Sequence, residues 1–133
     1  MRTTLSAKLS VLIVVLLLAA REPLAQTKPT FGGNCEDALA LIDTAAVDIM
    51  NQPDEYVIAI ARLGERESSG RLNQRRLNDV MDRLSNKTRN HAVGAIGQRI
   101  KGKGRVELYV HGKLTYIILF PTNRRIDCRN CCG

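Results

Sequence analysis

At 133 residues with a formal net charge of +7, the chain is long enough for one domain and basic enough to favour anionic partners such as cell-wall polymers, lipid headgroups or nucleic acid. Three Tyr, two Phe and no Trp make a poor stacking platform, which disfavours single-stranded nucleic acid. No complete catalytic motif occurs, so the sequence points to a binding or structural protein and not to an enzyme.

Residues 1–25 read as a signal peptide: Arg2 and Lys8 accompany a nearly unbroken apolar run over residues 9–20, and Ala25 offers a small residue for cleavage. The run is short for a bilayer span, so membrane attachment is expected only if the segment is retained. Cleavage would remove three basic residues (Arg2, Lys8, Arg21) and one acidic residue (Glu22), leaving +5. The expected location is exported, periplasmic or secreted. In an oxidising compartment Cys35, Cys128, Cys131 and Cys132 predict structural disulfides, with three pairings open. A bridge from Cys35 to the tail would close a long loop and restrict the unfolded chain by about 3–5 kcal/mol.

Residues 26–33 contain Pro29 and the pair Gly32-Gly33 and read as a flexible spacer, so a single domain is expected over residues 34–133. Asn34 is a fitting N-cap for a first helix, with Glu36 and Asp37 in its first turn and Leu39, Ile42, Ala46 and Ile49 on one face; Pro53 follows its end. The continuous apolar run over residues 56–61 predicts a strand covered on both faces in the middle of a sheet. Residues 64–70 form a polar turn. A second helix follows over about residues 71–84, with Leu72, Leu77, Val80, Met81 and Leu84 on one face. Arg76, four residues from both Leu72 and Val80, points to the packed side, where a guanidinium needs an acceptor. Residues 92–97 are weakly strand-like. Residues 105–110 alternate, residues 111–113 turn, and residues 114–120 supply the partner strand of a β-hairpin. The expected architecture is α+β, with two helices on a small three- to four-stranded sheet that ends in a β-hairpin.

The apolar strand, polar turn and Leu72-Asn73-Gln74-Arg75-Arg76-Leu77-Asn78-Asp79-Val80 helix resemble an OmpA-like peptidoglycan-associated domain, over about half of the exported chain. Residues 104–108 are similar to the family's last strand, with residues 123–127 as a second candidate. The resemblance implies an exported, non-catalytic module that grips a peptidoglycan stem peptide, with Arg76 holding a diaminopimelate carboxylate. The sequence departs from the family in two places. The family's ligand-binding aspartate falls near Ala61 or Arg62, neither acidic, and the segment before the last strand is too short for its second helix. The domain therefore resembles a degenerate member, in which Glu65 or Glu67 could supply the missing carboxylate.

The candidate ligand site comprises Arg76, Arg75, Glu65 and Arg62, within an arginine group that also includes Arg66 and Arg71. The plain alternative is a solvated helix face with local pairs, Arg75 with Asp79 and Arg71 with Glu67. The C-x-x-C of Cys128 and Cys131 lacks the strand-to-helix setting of a redox site. Zinc would have only Cys35, His91 and His111 to complete its shell, so neither a metal nor another cofactor is expected. His91 and His111 read as lone exposed histidines. Three functions remain: a module binding peptidoglycan or another anionic envelope polymer, a secreted interaction protein meeting a protein partner through the hairpin face, and, more weakly, a thiol redox or metal protein.

Overall fold

Side-chain caps set where both helices start. The computed structural model describes residues 27–126 and holds, in chain order, β1 (Thr30–Gly32), α1 (Cys35–Ile49), β2 (Val57–Arg62), α2 (Gly70–Thr88), β3 (Ala92–Ile96), β4 (Arg105–Val110) and β5 (Lys113–Leu119). Asn34 Oδ1 accepts from the Asp37 N–H at 2.7 Å, and Ser69 Oγ accepts from the Leu72 N–H at 3.3 Å, each relieving a free donor of a first turn. α2 runs four residues past Leu84 and stops where Arg89 adopts the left-handed conformation. No glycine marks that stop, so the sequence reading ended the helix a turn early.

The fold is α+β, two helices on one face of a five-stranded mixed sheet in the order β1-β5-β4-β2-β3. β1 is parallel to β5 and β2 to β3, while β4 is antiparallel to both β5 and β2. Four strands therefore end at the same end of the sheet. The fifth strand comes from the segment read as a spacer: Thr30, Phe31 and Gly32 pair with Tyr116, Ile117 and Ile118.

The core lies between the helices and the sheet. Ala38, Ile42, Ala45, Ala46 and Ile49 of α1 and Leu77, Val80 and Leu84 of α2 meet Val57, Ala59, Ala61, Val106, Leu108, Val110 and Ile118. Fully burying a side chain such as Ile42, Leu84 or Leu108 contributes about 1.5–3 kcal/mol. The other face of the sheet carries no element among the described residues. On β2, Val57, Ala59 and Ala61 are buried while Ile58 is 39 % exposed, which corrects the expectation of a strand covered on both faces. β2 is an interior strand as expected, flanked by β4 and β3, and the central position in the order belongs to β4. Among the described residues no helix is long and apolar enough to cross a membrane. The expected signal segment lies outside the described residues.

Candidate functional site

The turn from β2 into α2 is built around a buried ion pair. Arg76, on the inward face of α2, is fully buried, and Glu67 is 2 % exposed. Their contact is bidentate: Arg76 Nη1 donates to Glu67 Oε2 at 2.7 Å and Nη2 to Oε1 at 2.6 Å. Arg76 also donates through Nε to the Arg124 carbonyl at 2.9 Å, and through Nη2 to the carbonyls of Arg124 at 2.7 Å and Pro121 at 3.2 Å. Its guanidinium lies over the Phe120 ring, 4.7 Å from the centroid. Glu67 in turn accepts from the N–H groups of Gly64 and Asn123, each at 2.9 Å. The Arg76 hydrogen bond, opposed by burial and helped by those two N–H groups and the arginine charge, pulls the Glu67 carboxyl down to about 2. Gly104 completes the enclosure, because a Cβ there would run into Arg76 Nη1 and Glu67 Oε2.

This pair joins the segments that follow β2 and β5, with Gly104 of the segment after β3 packed against it. Such positions, outside the carboxyl ends of parallel strands, are where ligands bind in open sheets. The three segments leave a cleft of about 180 Å³ lined by Glu65, Arg66, Glu67, Gly102, Lys103, Gly104 and Thr122. Glu65, Arg66 and Lys103 are exposed on its rim, and Lys101 and Arg124 stand exposed in the same segments. Arg99 Nη1 donates to the Gly64 carbonyl at 2.7 Å and to the Glu67 carbonyl, bracing the turn. Because Arg76 neutralises Glu67, the exposed cations of the rim outnumber its one exposed carboxylate.

The four ligand residues expected from the sequence do not converge. Glu65 lines the cleft above the Arg76–Glu67 pair, while Arg75 is exposed on the outer side of α2 and does not line it. Arg76 is paired inside the fold. The local pairs expected on the helix are also replaced, since Glu67 meets Arg76 and not Arg71, and Asp79 receives Arg125 at 2.8 and 2.5 Å and not Arg75.

Arg62 lies on the uncovered face of the sheet, in a cluster that sequence reasoning missed. In register, Arg62 sits directly opposite Arg105, an arrangement of like charges that calls for an anion between them. Glu107 supplies it, accepting from Arg62 Nε at 2.8 Å, Arg105 Nε at 2.7 Å and the Tyr109 hydroxyl at 3.1 Å. Burial pushes the Glu107 carboxyl up, but the bonds from Arg62 and Arg105, the Arg105 charge and Tyr109 together outweigh it and hold the group below its ordinary range. The alternation of residues 105–110 marked Glu107 for the wetter face. Its partner across the sheet, 45 residues earlier, carried no local signal.

His91 stacks on Tyr56 with ring centroids 5.0 Å apart, and His111 Nδ1 lies 3.5 Å from Glu55. Among the described residues no cluster of three potential metal ligands occurs. Cys35 opens α1; Cys128, Cys131 and Cys132, its expected disulfide partners, lie outside the described residues. No known protein family, curated protein or solved structure matches the chain. The OmpA-like resemblance thus rests on the motif residues alone.

Proposed function

We propose that the chain is an exported, non-catalytic binding module that takes an anionic group of an envelope polymer, such as a carboxylate of a peptidoglycan stem peptide, on the cationic rim of the cleft. The observation that carries this reading is the meeting of three strand-end segments around a cleft whose exposed Arg66 and Lys103 stand over an internally neutralised pair. Arg76 then acts by positioning: it holds the rim segments together and would reach a ligand only by giving up Glu67. A disulfide from Cys35 to the cysteine-rich tail, which would close the domain in an oxidising compartment, belongs to the same reading.

Cosedimentation with diaminopimelate-type peptidoglycan tests it. The oxidised chain is expected in the pellet at moderate salt and in the supernatant at high salt, because the rim charges are exposed. The Arg66→Ala/Lys103→Ala variant is expected in the supernatant throughout, with unchanged circular dichroism. A pellet that survives this variant undiminished would exclude the rim.

A second reading, an interaction protein meeting a protein partner, draws support from the uncovered sheet face, where Phe31 is 48 % and Val93 51 % exposed. A chain that ignores peptidoglycan but crosslinks through the hairpin face to one partner would favour it.

A further inference from the structure

The two edges of the sheet are finished differently. β1 is three residues long and follows Lys28 and Pro29, a charge and a proline of the kind that blunt a sheet edge. β3 is five residues, Ala-Val-Gly-Ala-Ile, with no charge, proline or bulge, and its Ile96 is 50 % exposed. Among the described residues, half of its backbone groups take no strand partner. The Val57 N–H donates to the His91 carbonyl, and the Gly97 N–H to that of Ala61. In a parallel ladder alternate residues send both their groups to the same neighbour. Val93 and Ala95 therefore serve β2, and the N–H and C=O groups of Ala92, Gly94 and Ile96 point away from it.

The helix above this edge carries a matching stripe. Met81 lies over β3, since a Cβ on Gly94 would meet Met81 Cγ at 3.0 Å. Gln74, Asn78, Met81 and Ser85 recur at 4-3-4 spacing and so share one face, and Gln74 Nε2 donates to Asn78 Oδ1 at 2.9 Å. None of the four is charged, on a helix that also exposes Arg71, Arg75, Asp82 and Lys87.

We propose that the chain forms a two-fold symmetric dimer, in which β3 pairs antiparallel with β3 of a second copy, Gly94 opposite Gly94, and α2 packs beside its mate through the uncharged stripe. The edge accommodates a second copy in this register. Ala92 and Ile96 stand equally far from Gly94, so pairing each with the other across the axis engages every outward group. The layer spacing agrees. α2 packs on both β2 and β3, which sets it above the gap between them, and with strands about 4.8 Å apart the two α2 axes fall about 10 Å apart, a helix-packing distance. Charge agrees as well, because neither β3 nor the stripe sets like charges against themselves.

Sedimentation velocity on the full chain over a concentration series is expected to show a monomer–dimer equilibrium. Ile96→Lys, at an exposed side chain, is expected to weaken the dimer at least about tenfold with unchanged circular dichroism. The register is read separately. Val93 and Ala95 of the second copy would face each other as a non-hydrogen-bonded pair about 4.5 Å apart at Cα, within disulfide reach. The Val93→Cys/Ala95→Cys variant is therefore expected to oxidise to a covalent dimer whose linked peptides join positions 93 and 95. A chain that stays monomeric at every soluble concentration overturns the proposal, as does a dimer indifferent to Ile96→Lys that yields no 93-to-95 link.

Discussion

Arg76 is buried because three groups meet its donors, the Glu67 carboxylate and the carbonyls of Pro121 and Arg124, and the energetics of the site follow from that dependence. A buried guanidinium stripped of its carboxylate is far worse than an apolar side chain in the same place. Glu67→Ala is therefore expected to destabilise the fold by about 3–5 kcal/mol, read as a lower urea midpoint with an unchanged slope. The Arg76→Met/Glu67→Leu double variant should recover most of that loss, because it leaves no buried charge unpaired. A double variant as unstable as Glu67→Ala would mean that the bonds to Pro121 and Arg124, rather than the ion pair, hold the turn. The need for an acceptor was legible from the position of Arg76 between Leu72 and Val80. Which acceptor was not, because Glu67 sits in an irregular turn, and no periodicity says where a turn residue points. Gly104 was equally illegible: its requirement arises from a close approach between segments far apart in sequence.

At the scale of elements, local signals were read well and distant ones were not. The hairpin of β4 and β5 follows from alternation and a short turn, and the N-cap at Asn34 from one residue and the acids after it. β1 escaped because it is three residues in a Pro/Gly context, and its only reason to be a strand is a partner more than eighty residues away in β5. The run over residues 56–61 suggested two covered faces because composition cannot distinguish a covered face from an apolar one left open. The hairpin turn itself offers a test. His111 and Gly112 both have positive φ, 51° and 71°, on a two-residue connection between the paired Val110 and Lys113. That geometry is the type I′ turn, which prefers Asn-Gly. His111→Asn should relieve a left-handed non-glycine residue and stabilise the protein by roughly 0.5 kcal/mol. Thermal melts of the same substitution in a Glu55→Gln background separate this backbone effect from the contact with Glu55. A melting temperature unchanged or lowered there would show that the histidine conformation is not a strained one.

Across the whole molecule, the parallel arrangement gathers the segments after β2, β3 and β5 at one end, and the buried ion pair fastens them. The domain's integrity at that end is thus tied to the ionisation of one carboxyl. Glu67 is held at about 2, below its ordinary 4.5, so between those values the unfolded chain binds a proton that the folded chain refuses. The resulting stability is fully present above about pH 4.5 and is lost as pH falls toward 2, with a total of about 3 kcal/mol. The Arg83 hydrogen bond lowers Asp43 in the same direction, against some burial, and Glu107 is lowered too, so all three act in the acid limb. Urea midpoints measured from pH 7 to pH 2 are expected to fall steeply below pH 4.5 in the parent chain. Glu67→Gln should begin lower at neutral pH, because the amide gives Arg76 no negative charge, and should decline less steeply, so that the two curves approach each other near pH 2. Curves that run parallel through the acid limb would place the acid sensitivity at Asp43 and Glu107, and would remove the ion pair from its role as the fastening of the strand-end segments.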